Sequence, residues 1–151
     1  MKRIIACIIT MAAFFSILQA GAFADAWNGE KIDLDDGCYL IAGDVTVIAT
    51  RASGSVSGKK PYTCYDSDGT ALWKVELSGS FTYNGTMATC TASSISTTIF
   101  DSTWSVGAKS AQKSGRQAIG SVTMNKRSAG VTIKSVPVSL SISCSENGNL
   151  S

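Results

Sequence analysis

The residues that could do chemistry in this chain are carboxylates and cysteines, because none of its 151 residues is a histidine. Histidine is the most frequent general base and metal ligand, so the commonest way to activate a nucleophile is missing. A pair of carboxylates could still act on a glycosidic bond, as in glycosidases. The available candidates are Asp66, Asp68, Glu76 and Asp101.

The surroundings of these carboxylates argue against catalysis. Glu76 lies between two apolar residues and has Lys74 two positions away, which is typical of a solvated charge on the polar face of a strand. No nucleophile, base and orienting group can be combined from the remaining side chains. We therefore expect no enzymatic activity, no catalytic residue and no cofactor.

Two aspartate-rich segments resemble calcium loops. Asp33, Asp35 and Asp36 lie in IDLDDG, and Asp66 and Asp68 lie in DSDG. Both segments lack the glutamate that completes a twelve-residue calcium loop. Asp-Gly pairs also close turns, and aspartate side chains cap them. The interpretation that needs fewest assumptions is two capped turns without a metal site.

The cysteines predict disulfides rather than a zinc site. Cys7 lies in an apolar segment near the start, which leaves Cys38, Cys64, Cys90 and Cys144. These four stand 26, 26 and 54 residues apart, so the chain has no close C-x-x-C pair to begin a zinc site. An even number of cysteines in an exported protein predicts two disulfides.

The N-terminus has the pattern of a cleavable secretory signal. Lys2 and Arg3 precede an apolar run, which ends before the small-residue triplet Ala22-Phe23-Ala24. We expect a signal over residues 1–24, and a single secreted, extracellular domain over residues 25–151 with no membrane span. That domain has 11 basic and 11 acidic residues, so its charge favours neither nucleic acid nor an anionic membrane.

The positions that carry these side chains follow the period of β-strands. In ALWKVELSGSFTY, residues 71–83, apolar side chains occupy every second position and include Trp73, Leu77 and Phe81. Asn84-Gly85 then predicts a two-residue type I′ hairpin turn. This turn would pair Gly79 with Cys90, which puts Cys90 on the core face and leaves room for a sulfur bridge.

The last strand has the same alternation. Val138, Leu140 and Ile142 share one face with Cys144, and Pro137 predicts an edge strand or a bulge. Of the three possible connectivities, we expect Cys90–Cys144, because both residues point into the core. Cys38–Cys64 is then the second bridge.

The whole pattern predicts an all-β, single-domain antiparallel β-sandwich with seven to nine strands and two disulfides. A small β-barrel is the alternative, since the pattern alone does not separate the two. Trp73 with Cys90 and Cys144 resembles the immunoglobulin-like arrangement of an inter-sheet bridge packed by an indole. In immunoglobulin domains the tryptophan lies between the cysteines, whereas here it precedes both, so the likeness is architectural.

A second resemblance is carried by LWKVELSGSFTYNGTMATC, DSTWSV and the ending CSENGNLS. These segments resemble small secreted, uncharacterised proteins of gut-type Gram-positive bacteria. The resemblance covers about the C-terminal two-thirds of the mature chain. It implies a bacterial, extracellular location and no particular chemistry.

These observations together favour a small secreted binding or interaction protein, with specificity carried on its loops. Its expected partner is an extracellular ligand, either a glycan or a protein. Two alternatives from other classes stay open: a secreted carboxylate-type enzyme acting on glycans, and a secreted toxin or antimicrobial protein.

Overall fold

The computed structural model of the protein describes residues 31–51 and 54–151. The expected signal over residues 1–24 and its cleavage site lie outside these residues and stay predictions. The described chain forms nine strands and one short 3-10 turn, Asp35–Gly37. The strands are β1 (Lys31–Asp33), β2 (Tyr39–Ala42), β3 (Thr46–Arg51), β4 (Ser55–Tyr65), β5 (Ala71–Tyr83), β6 (Ala88–Ile99), β7 (Trp104–Ser114), β8 (Gln117–Ser128) and β9 (Val131–Ser143).

The strands form two antiparallel sheets. The larger sheet has the order β1-β2-β4-β5-β6, and β3 pairs with the half of β4 that β2 leaves free. The smaller sheet has the order β7-β8-β9. Strand β8 packs across β5 and β6, while β9 packs across β4 and β5. The predicted all-β, antiparallel two-sheet architecture is therefore confirmed, within the predicted number of strands.

The core lies between the facing surfaces of the two sheets. Because side chains alternate along a strand, each long strand contributes every second residue to this core. The six residues predicted for it all lie there, each at most 2% exposed: Trp73, Leu77, Phe81, Val138, Leu140 and Ile142. Trp104, at 3% exposed, packs against Trp73 with ring centroids 5.8 Å apart.

The β5–β6 hairpin differs from its prediction. Phe81, and not Gly79, lies opposite Cys90, and Gly79 lies opposite Ser93. A type I′ turn needs positive φ at both central residues, but only Gly85 has it here, at 85°. The connection is instead a longer loop, closed by the Asn84 N–H donating to the Met87 carbonyl at 3.1 Å. A register shift after Ser80 moves the pairing further.

The serines, glycines and lysines of RASGSVSGKK, residues 51–60, predict a turn, but most of this segment is strand. Strand β4 begins at Ser55 and continues through the two lysines to Tyr65. The turn prediction was wrong because the inward positions of this half-strand carry Val56, Gly58 and Lys60, which together have too little apolar character to reveal alternation. Position 58 requires glycine, because a Cβ there would clash with the Leu150 side chain.

The predictions for the last strand hold. Pro137 lies on β9, which is an edge of the smaller sheet as described. A bulge interrupts the β8–β9 pairing at Ile133, between Thr132 and Lys134. This extra residue explains why the first apolar residues of β9 are out of phase with the later ones.

The likeness to immunoglobulin domains is limited to two packed antiparallel sheets. Immunoglobulin domains connect their strands in a Greek key that alternates between the sheets. Here the smaller sheet consists of three consecutive strands, so the connectivity differs. The four described cysteines are buried free thiols, and the expected disulfides are not formed between them.

Candidate functional site

Three loop segments meet at one end of the sandwich and enclose a cleft of about 400 Å³. We call it the end cleft. Its walls come from the end of β3 and from Gly54, from the β5–β6 loop and from the C-terminal turn after β9. The lining residues are Thr50, Arg51, Gly54, Tyr83, Asn84, Gly85, Glu146 and Asn147.

Backbone hydrogen bonds hold these segments together. The Tyr83 N–H donates to the Gly54 carbonyl at 2.7 Å, and the Gly85 N–H donates to the Glu146 carbonyl at 2.9 Å. Gly54 has φ of 73°, and a Cβ there would clash with the Tyr83 carbonyl, so the approach requires glycine. The β5–β6 loop is thereby tied to both other walls.

Side-chain caps shape two of the three walls. The Asn84 Oδ1 accepts hydrogen bonds from the N–H groups of Thr86, at 3.1 Å, and Met87, at 2.9 Å. The Ser145 Oγ accepts from the Asn147 N–H at 3.3 Å and from the Asn149 N–H at 3.0 Å. Caps of this kind hold turns in one conformation, so the cleft is formed without a ligand.

The functional groups at the rim remain free to bind. No hydrogen bond or ion pair within residues 31–51 and 54–151 engages the Arg51 guanidinium, the Glu146 carboxylate or the Asn147 side-chain amide. Arg51 and Glu146 are both exposed and carry the only formal charges of the lining. The cleft therefore offers one cationic donor, one anionic acceptor and an amide that can do both.

A second, smaller cleft of about 210 Å³ adjoins the first. Tyr83 and Asn84 line both clefts and so form the ridge between them. Met87, 62% exposed, contributes an apolar contact on the far side of the ridge. The two clefts are therefore neighbours that share one aromatic residue, Tyr83.

Three of the four carboxylates considered for catalysis, those of Glu76, Asp66 and Asp101, already have partners. The Glu76 carboxylate lies 2.8 Å from the Lys59 ammonium and 3.2 Å from that of Lys74. Its hydrogen bond with Lys59 is the main cause that lowers the pKa of Glu76. Asp66 and Asp101 accept backbone hydrogen bonds in the turns after β4 and β6. Glu76 lies in mid-strand, away from those turns, so the four do not form one site.

The aspartate-rich segments are turns with local partners. The Asp66 Oδ1 accepts from the N–H groups of Asp68, at 3.0 Å, and Thr70, at 2.8 Å. In the other segment, Asp33 pairs with Lys31 at 3.1 Å and Asp36 with Lys134 at 3.2 Å. Within the described part of the chain, no three potential metal ligands come together.

A platform for a sugar needs exposed aromatic rings, and the sequence offers Trp27, Tyr39, Tyr62 and Tyr65 for this role. The three tyrosines do not line the end cleft. Tyr62 is buried, and this burial raises the pKa of its hydroxyl to about 12. Tyr39 and Tyr65 stack on each other with ring centroids 5.4 Å apart, and the Lys31 ammonium lies 4.3 Å from the Tyr39 centroid. Trp27 lies outside the described residues.

The four cysteines are brought together in two neighbouring pairs. Leu40 is the direct partner of Cys64, which makes Cys38 a diagonal neighbour of Cys64 on the same face. Burial raises the pKa of the Cys64 thiol to about 12, and the proximity of Cys38 adds to the rise. Burial likewise raises the pKa of Cys144, with a smaller contribution from Cys90. These are the two pairs expected from the sequence to form disulfides, and the bridges themselves stay a prediction.

The backbone explains why Cys90 and Cys144 are neighbours. The Cys90 N–H donates to the Gly115 carbonyl at 2.8 Å, and the Cys144 N–H donates to the Arg116 carbonyl at 3.0 Å. Both cysteines thus flank the same turn between β7 and β8. Cys144 also directly precedes the turn that carries Glu146 and Asn147, so this pair lies beside the end cleft.

Sequence reasoning missed the end cleft. Arg51, Tyr83, Glu146 and Asn147 belong to three segments far apart in the chain, and none forms a local motif. The available signal is the Asn-Gly pair in two of these segments, at residues 84–85 and 147–148. Such pairs predict turns, but they do not show that two turns will meet.

Comparison with known proteins found no family model, no curated protein and no solved structure that matches this chain. The described residues contain no helix long and apolar enough to cross a membrane. The chemistry of the clefts is therefore the basis for assigning a function.

Proposed function

We propose that this protein is a small secreted binding protein whose ligand occupies the end cleft. The supporting observation is a cleft of about 400 Å³ with charged and amide groups on its rim that no described residue engages. Its volume lies within the range of known ligand sites. Loops at one end of a sandwich also carry the binding residues of immunoglobulin-like domains, which supports the analogy in function.

The proposal includes two disulfides, Cys38–Cys64 and Cys90–Cys144, formed after export. The neighbouring thiols of each pair support it, as does the oxidising environment outside the cell. Each bridge forms when two thiols lose two protons and two electrons to an oxidising disulfide, by thiol–disulfide exchange. Bridges that close loops of these lengths typically contribute about 3–4 kcal/mol to stability.

The first test concerns export and bridging. The full chain is expressed in a Gram-positive host, and the protein in the medium is sequenced from its N-terminus and mapped under non-reducing conditions. We expect a start at Asp25, or at Trp27 if cleavage shifts, and the two disulfide-linked peptides. A cell-associated product that begins at Met1 would contradict secretion, and a peptide that joins Cys64 to Cys90 would contradict the pairing.

The second test separates binding from the alternatives. The purified, oxidised protein is passed over immobilised neutral glycans, acidic glycans and peptides, and the eluate is analysed for released sugar. Retention without product is expected of a binding protein. Released sugar would instead support the carboxylate-type enzyme, and leakage of dye from lipid vesicles would support the toxin alternative. Retention by none of the surfaces would refute the binding function.

A further inference from the structure

The side chains that line the end cleft restrict the chemical class of the ligand that can bind there. We infer that the ligand is a neutral oligosaccharide, with one sugar in the end cleft and the next in the adjoining smaller cleft across Tyr83. This inference rests on the proposed binding function and names the class of ligand for the same site.

The charges of the lining favour a neutral ligand. Arg51 and Glu146 have opposite charges and form no ion pair with each other or with another described residue. A polyanion would be attracted by Arg51 but repelled by Glu146. A polycation would be attracted by Glu146 but repelled by Arg51. A ligand without formal charge can instead form hydrogen bonds with both groups, and neither charge opposes it.

The hydrogen-bonding groups match hydroxyls. A hydroxyl donates one hydrogen bond and accepts others, so it can donate to the Glu146 carboxylate or accept from the Arg51 guanidinium. The Asn147 side-chain amide can do either. The Asn84 Oδ1 caps its own turn, which leaves the amide NH₂ of Asn84 as a donor toward the ligand. A compound with several neighbouring hydroxyls satisfies these groups together, as a sugar ring does.

The position of Tyr83 favours a sugar over a smaller polyol. The face of an aromatic ring is electron-rich, so it attracts the polarised C–H groups on one face of a sugar ring. Tyr83 is half-buried and packs against the core, which holds the ring in place. Gly148 packs against one face of the ring, since a Cβ at Gly148 would lie 2.5 Å from Cε1 and Cζ and 2.9 Å from Cε2 of Tyr83, so a ligand would contact the other face or the edge. A ring that is fixed before binding loses little conformational entropy when the ligand arrives.

The two neighbouring clefts favour an oligomer over a single sugar. Tyr83 and Asn84 line both of them, so a linear chain that crosses the ridge would contact the same aromatic residue with two successive units. Met87 would contact only the unit in the smaller cleft. Met87 therefore provides a way to test the direction and length of the bound chain separately from the end cleft.

The test is a titration of the ¹⁵N-labelled protein, in which binding is measured by calorimetry and by NMR. The probes are neutral glucose and N-acetylglucosamine oligomers of one to four units, uronic acid oligomers, and a zwitterionic tripeptide. We expect a neutral oligomer to bind more tightly than its monomer, with shifts at the amides of Gly54 and Gly85. Arg51→Met and Glu146→Gln should each weaken binding about ten-fold, the loss typical of one hydrogen bond to a charged group.

Matched controls lie at the opposite end of the sandwich, where Arg127 and Asp68 are both exposed. Arg127→Met and Asp68→Asn make the same chemical changes there and should leave the affinity unchanged. Met87→Ser should weaken the binding of oligomers but not of the monomer. Arg51, Glu146 and Met87 are all exposed, so these variants should melt at the temperature of the parent protein.

The outcomes separate the inference from the proposed function. Neutral oligomer binding that survives both end-cleft variants would refute the inference. Binding of only the uronic acid oligomer or only the tripeptide, lost in Arg51→Met, would also refute it but would leave a binding protein with another ligand. Failure to bind any probe here, together with no retention on any immobilised surface, would refute both.

Discussion

Trp73 provides the most direct test of the packing of the two sheets. It is 0% exposed and packs against Trp104 at an interplanar angle of 58°. Truncation of a buried Phe or Trp to Ala typically costs about 3–5 kcal/mol, because transfer free energy is lost and a cavity remains. Small domains are stable by about 5–15 kcal/mol in total. We therefore expect Trp73→Ala to remove a large fraction of the stability.

A second substitution at the same position separates the ring from its polar atom. The Trp73 Nε1–H is buried and has no hydrogen-bond partner among the described residues. An unsatisfied buried donor typically costs about 1–3 kcal/mol. Trp73→Phe keeps an aromatic ring and removes this donor, so the relief should offset part of the lost packing. We expect Trp73→Phe to cost less than half of what Trp73→Ala costs.

The measurement is thermal and urea unfolding of the oxidised protein, followed by far-UV circular dichroism. For a domain of this size, 1 kcal/mol corresponds to about 3–5 °C in Tm, so Trp73→Ala should lower Tm by about 10–20 °C. Phe100→Ala, at a position 56% exposed, is the control and should change Tm little. An unchanged Tm for Trp73→Ala would refute the assigned core face. Equal losses of stability in both Trp73 variants would mean that the buried indole N–H does not destabilise the protein.

Three further predictions concern other parts of the fold. Gly79→Val should destabilise the domain by about 1–3 kcal/mol in urea unfolding, because a Cβ at Gly79 would lie 2.9 Å from the Cβ of Ala118. A variant as stable as the parent protein would contradict this close packing of the two sheets. The hydrogen bond with Lys59 is the main cause that lowers the pKa of Glu76 in the folded protein. This ion pair should therefore stabilise the protein fully above the unfolded pKa of Glu76, near 4.5. The stabilisation should be lost as the pH falls through the lower pKa of the folded state. Glu76→Gln should therefore remove stability near pH 7, by at most about 1 kcal/mol for so accessible a pair, and little at pH 2; a pH-independent difference would contradict this. In the reduced protein, burial raises the pKa of Cys64 to about 12, so iodoacetamide at pH 8 should modify Cys64 only after unfolding, and rapid labelling of the folded protein would contradict its burial.

The residues of the hairpin show how far prediction from sequence could reach. Alternation correctly assigned Trp73 and Phe81 to the core face, because the period of a strand is a local property. The register across to Cys90 was wrong, because it depends on the length of the loop and on the shift after Ser80. Asn84 decided the loop, since its side chain caps two N–H groups, which a list of preferred turn residues does not reveal.

The end cleft shows what local patterns could not supply. The turn signals at Asn84-Gly85 and Asn147-Gly148 were present in the sequence, yet nothing in them indicated that Gly85 and Glu146 would hydrogen-bond. Arg51 and Glu146 occur in polar segments without periodicity, where a charged residue normally indicates a solvated loop. Only the assembled sheets bring them to the same rim.

The sequence by itself determined the all-β class and the inward faces of the long strands. These properties follow from side-chain alternation and turn chemistry, which act over a few residues. The tertiary structure alone decided the pairing register, the strand nature of residues 55–60 and the meeting of three loops around Tyr83. Those features depend on which strands pair and how the sheets pack, and such long-range contacts are selected by the free energy of the whole core rather than by any segment.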